Sequence, residues 1–147
     1  MGVETELIVA SIDKAQIVCE SNSPQVDFDH AGNFKGLDMV MLVTLYAVLT
    51  ETKYDDKLIA EFKCLHQISE MGPWVYFVPS QIVSAVAQLK DERFEDVVLK
   101  WEESEEISNV MWQNSSEDIF SDSLEQLREL SKKSIDSSTP MLFWMSL

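Results

Sequence analysis

Trp74-Val75-Tyr76-Phe77-Val78-Pro79-Ser80-Gln81-Ile82-Val83-Ser84-Ala85-Val86-Ala87-Gln88-Leu89 changes its periodicity half-way along. Its first five residues are aromatic or β-branched, the composition that fits a pleated, half-buried surface, and Gly72-Pro73 sets them off as a strand. Pro79 cannot donate to a ladder and ends it. Beyond it Ile82, Val83, Val86 and Leu89 recur at i, i+1, i+4 and i+7, one face of an amphipathic helix, with Ser80 as the expected N-cap. A strand passing directly into a helix predicts an α+β chain.

Reading outward, residues Leu37 to Leu49 are apolar almost all round, as in a centrally buried helix. Tyr54 to Ile68 places Leu58, Phe62, Leu65 and Ile68 at helical intervals, and a helix is expected there. A helix near Asp91 turns Phe94, Val97, Val98 and Trp101 inward. Another, from about Ser123 to Asp136, uses Leu124, Leu127, Leu130 or Ser131, and Ile135, with Lys132 and Lys133 towards its C-terminus. Leu7 to Ala10 and Met141 to Met145 are apolar runs of strand length. The second must pair inside the domain, because an exposed edge of that composition aggregates. Asp13 is expected to cap a helical turn carrying Ile17 and Val18, and Glu20 to Gly36, rich in turn formers, reads as a loop. The expectation is one compact α+β domain over residues 1–147, with a small sheet shared by the strands at both ends and packed against four to five helices. A chain of 147 residues suits a single core without staples.

Charge is the unusual feature. Twenty-six acidic residues against 11 basic give a net charge of -15. Such a field repels phosphate backbones, and no basic stripe offsets it, so nucleic acid is excluded as a partner. It suits a basic protein, whose encounter it speeds. Cys19 and Cys64 have no zinc-ligand spacing. Met1 to Ser11 carries Glu4 and Glu6 where a secretory signal wants Lys or Arg, and no run is long enough for a membrane span. The chain therefore reads as cytoplasmic, with reduced thiols and no membrane association; no cofactor is implied.

The second half, residues 74 to 147, resembles a group of small uncharacterised bacterial proteins. The resemblance rests on Pro79, Trp101 with Ser104-Glu105-Glu106, Trp112, Leu124-Leu127-Leu130, and the Leu142 to Leu147 terminus. In layout it is distantly similar to the YfbM-like proteins. The resemblance implies a compact α+β domain and brings no activity or site residues with it.

The densest polar group is Glu102-Glu103-x-Glu105-Glu106. On one helix Glu102, Glu105 and Glu106 would share a side. With Trp112, an aromatic in a polar segment, these residues form the candidate partner-binding surface. Asp27, Asp29 and His30 form an alternative metal or polar site in the expected loop. Trp74, Trp101 and Trp144 read as core. His66 beside Cys64 reads as a packed histidine, since i and i+2 do not face each other on a helix. Ser80 lacks the glycines of a nucleophile elbow. With no complete catalytic constellation, the favoured function is a non-enzymatic acidic binding domain, immunity- or antitoxin-like. A small metal-dependent hydrolase using the clustered glutamates with Asp29 and His30, and a structural or assembly partner, are the alternatives. Monomer and homodimer are not distinguished.

Overall fold

The computed structural model describes residues 4–34, 36–104 and 119–146. The strands β1 (Glu4–Val9), β2 (Ala31–Asn33), β3 (Lys63–Gln67), β4 (Trp74–Phe77) and β5 (Met141–Ser146) form one sheet. Its order is β2-β1-β5-β4-β3, with every neighbouring pair antiparallel. The two ends of the chain thus meet as its central pair, with Leu7 opposite Phe143 and Ile8 opposite Leu142. Six α-helices complete the described residues: α1 (Ala15–Glu20), α2 (Pro24–Asp27), α3 (Met39–Thr50), α4 (Ser80–Ala87), α5 (Asp91–Glu103) and α6 (Ile119–Ser137).

Strand alternation divides the core in two. Leu7, Met141 and Phe143 point to one face and pack with apolar side chains of α3, α4, α5 and α6. Ile8, Val75, Leu142 and Trp144 point to the other, under Ala15, Val18 and Cys19 of α1. β5 is covered on both faces, which is why Met141 to Trp144 is apolar without alternation. Each fully buried Leu or Phe contributes roughly 1.5–3 kcal/mol. α3 is likewise surrounded, with buried residues all round it from Met41 to Leu49. The Asp38 carboxylate caps it by accepting from Met41 N at 2.8 Å.

Six local expectations are corrected. Tyr54 to Ile68 is a 3-10 helix over Asp56–Glu61 followed by the edge strand β3, so Leu58 and Phe62 are core whereas Ile68 is exposed. The Glu20 to Gly36 segment contains α2 and β2, the latter held to β1 by three residue pairs. Asp13 lies inside a 3-10 helix, Ile12–Lys14, that runs into α1, and it accepts a hydrogen bond from the Ser11 hydroxyl instead of capping. Ser80 is the first residue of α4, Pro79 holds the cap position, and no side chain caps the helix. On α6, Ser134 is buried and Ile135 is exposed, reversing the expected inward position. Trp101 and Trp144 are core, but Trp74 is only half-buried. It lies against Gly72, which holds a left-handed φ of 84° and where a Cβ would stand 2.7 Å from the indole.

Candidate functional site

α5 is amphipathic, although Leu99 is exposed among its outward residues. Val97, Val98 and Trp101 are buried, and Trp101 Nε1 donates to Met41 O at 3.0 Å while its ring meets Phe120 edge-on at 5.2 Å. The opposite stripe, Glu92, Glu95, Asp96 and Glu103, is exposed. Lys100 answers it in part, pairing with Asp96 at 3.0 Å. α6 packs beside α5 and exposes Asp122, Glu125 and Glu129 along its first three turns.

Arg128 ties the two acidic stripes together. It is buried in α6, with Nη1 2.9 Å from Asp91 and Nη2 2.6 Å from Glu125. Nη1 also donates to Leu89 O at 3.3 Å, and the guanidinium carbon lies 4.9 Å from the Phe94 ring centroid. Burial works against its charge, but the bonds to Asp91 and Glu125 prevail and raise its pKa. The charge of Arg128 is thus committed inward, and the outer face stays acidic. Sequence reasoning missed this residue. Its signal was a lone arginine on the apolar stripe of Leu124 and Leu127.

Of the expected partner-binding residues, α5 supplies Glu102, half-buried, and Glu103, exposed. The helix ends there, because Ser104 turns to an extended conformation with ψ 146°. Glu105, Glu106 and Trp112 lie outside the described residues.

Asp27 ends α2, and Asp29 and His30 lie in the link from α2 to β2. α2 packs on β1 and β2, and its Gln25 N donates to the buried Glu6 carboxylate. α5 packs on α3 and α6, and its last turn carries Glu102 and Glu103. Among the described residues, no group of three His, Cys, Asp or Glu side chains is placed to hold a metal. Asp27 accepts a hydrogen bond from the Ser21 hydroxyl.

Cys64 and His66 stand on β3 and not on a helix, with a register shift between them. Cys64 is exposed, and its thiol donates to His66 O at 3.7 Å. Cys19 is buried and donates to Pro73 O at 3.2 Å. Burial pushes its thiol pKa up, the opposite of what a nucleophile needs.

Among the described residues, clefts open on the α3–α6 side, three of them next to the main core. One of about 300 Å³ is walled mainly by Phe77, Val83, Ile135 and Met141. A second, of about 240 Å³, includes Tyr46, Lys53, Lys57 and Gln81. A third, of about 360 Å³, includes Glu51, Tyr54 and Lys100. None of the three is lined by Asp27, Asp29, His30, Glu102 or Glu103. No helix among the described residues is long and apolar enough to cross a membrane. No protein-family model, curated protein or solved structure matches the chain.

Proposed function

We propose that the protein is a non-enzymatic binding domain, immunity- or antitoxin-like, that presents the outer face of α5 and α6 to a basic protein. The observation that carries this reading is the joined pair of acidic stripes, Glu92, Glu95, Asp96 and Glu103 beside Asp122, Glu125 and Glu129. Rigid helices fixed by Trp101 and Arg128 hold these carboxylates in place before any partner arrives. Preorganisation of this kind lowers the ordering cost of binding, and the summed field accelerates encounter with a cationic surface. Exposed like charges on one face repel each other by a few tenths of a kcal/mol per pair, a strain that a basic partner relieves.

The test is capture from a lysate at low salt by the immobilised chain, beside the variant Glu92→Lys/Glu95→Lys/Glu103→Lys. A basic protein retained by the wild type and lost by the variant, with both chains melting at similar temperatures, supports the reading. Equal retention by both chains sinks it.

A further inference from the structure

The cleft of about 300 Å³ between α4, the end of α6 and the start of β5 is built without charge. None of its described lining residues is ionisable, in a chain whose residues are 25% Asp, Glu, Lys or Arg. Val78, Val83 and Met141 belong to the main core and form its inner wall. Ile135, 49% exposed, stands at its mouth.

The turn from α6 into β5 fixes the shape. Ser138 takes a left-handed φ of 51° and ends the helix, its N–H donating to Ile135 O at 3.1 Å. Thr139 N donates to Ser134 O at 3.0 Å, and the buried Ser134 hydroxyl returns a bond to Thr139 O. On the strand side, Val78 N donates to Met141 O at 3.0 Å. These bonds leave two hydroxyls over. Ser80, on the first turn of α4, and Ser138 both line the cleft and are exposed, and neither side chain bonds to another described residue.

We propose that this cleft binds a neutral, ring-sized small molecule carrying one hydroxyl, carbonyl or amide group. Its volume sets the size. At about 30 Å³ per water it holds on the order of ten waters, so a ligand of about ten non-hydrogen atoms fills it. Small-molecule sites span roughly 300–1,000 Å³, and this one lies at the lower end. The lining sets the chemistry. Val83, Ile135 and Met141 take an apolar body, and the Ser80 and Ser138 hydroxyls, each able to donate and accept, exchange water for the polar group. Charge sets the selectivity. A carboxylate meets no cation in the described lining and enters the field of a chain of charge -15, while an ammonium finds no carboxylate there. The cleft shares no residue with the acidic stripes of α5 and α6, so it stands or falls independently of the protein-binding reading.

Benzamide and benzoate, alike in size and different in charge, are the probes, followed by NMR chemical shifts of the full chain. Benzamide is expected to give saturable shifts centred on Val83, Ile135 and Met141, with a dissociation constant below about 1 mM. Benzoate should bind at least about tenfold more weakly. Ser80→Ala/Ser138→Gly removes both hydroxyls, and glycine suits the left-handed φ, so the variant should melt no lower than the wild type. It is expected to bind benzamide about fivefold to tenfold more weakly. Shifts that stay linear up to about 5 mM benzamide, or that centre away from the cleft, overturn the proposal. Benzoate binding as tightly as benzamide overturns it too, as does a variant that binds benzamide as tightly as the wild type.

Discussion

The Asp91 carboxylate, exposed on the first turn of α5, lies 2.9 Å from Nη1 of Arg128, a side chain buried in α6. Glu125 holds the other terminal nitrogen at 2.6 Å. The cation is the enclosed member of this triad, so the cost of breaking it depends on which partner is removed. Asp91→Asn/Glu125→Gln strands a buried charge and is expected to cost about 3–5 kcal/mol. Arg128→Met keeps the volume, removes the charge and is expected to cost less, about 1–2 kcal/mol, chiefly for the lost bond to Leu89 O. Urea unfolding of the two variants decides this. An Arg128→Met loss larger than that of the double variant contradicts the account.

Glu6 faces the α1 side of β1, almost fully buried, and accepts from the backbone of Gln25 in α2. Burial raises its pKa above the ordinary glutamate value of 4.5, more than its hydrogen bonds to Gln25 and Asn33 lower it. The folded state then holds this proton more tightly than the unfolded chain does. The stabilisation from protonating Glu6 is fully present below 4.5 and is lost as pH rises through the elevated folded value. Glu6→Gln keeps an acceptor for Gln25 and removes the titration. Melting temperatures between about pH 4 and 8 should show the variant gaining on the wild type as pH rises. A gap that narrows with rising pH contradicts this.

Trp101 closes the interface of α3 and α5 with one hydrogen bond and one edge-on ring contact. Trp101→Phe loses the bond to Met41 O and is expected to cost about 1–2 kcal/mol; Trp101→Ala also opens a cavity and should cost about 3–5 kcal/mol. Thermal unfolding with calorimetry separates the two. Equal losses would mean that the indole volume contributes nothing.

Legibility in the sequence followed burial. Met141 to Met145 reads plainly as a strand because the sheet centre is apolar on both faces, and the meeting of the two chain ends followed from that. β3 escaped because an edge strand of Lys63, Cys64, His66 and Gln67 carries little β composition, and the register shift after Cys64 spoils its alternation. Leu58 and Phe62 mimic a helix because a 3-10 turn spaces them similarly. Within the candidate site, Glu102 and Glu103 were found as part of a charge run. Asp91, Glu125 and Arg128 were not, since their meeting depends on how α5 and α6 pack and on no local spacing. Ile17 was expected on a helical turn, but which of its faces would stay bare depends on where α1 lands on β3 and β4.

The α5–α6 face also predicts a surface variant without a stability cost. Glu95→Lys and Glu129→Lys replace exposed side chains and should change the unfolding free energy by no more than about 0.5 kcal/mol, while weakening capture of a basic partner. Destabilisation well beyond that range in either variant would show that these carboxylates hold the fold and are not spare for a partner.

The most direct measurement is the association rate of the captured basic protein with the wild-type chain as salt is raised from about 0.05 to 0.5 M, followed by stopped-flow fluorescence. Recognition through the acidic face predicts a fall of about tenfold or more across that range, with a much smaller change in the dissociation rate. A rate indifferent to salt would contradict it and move the contact away from α5 and α6.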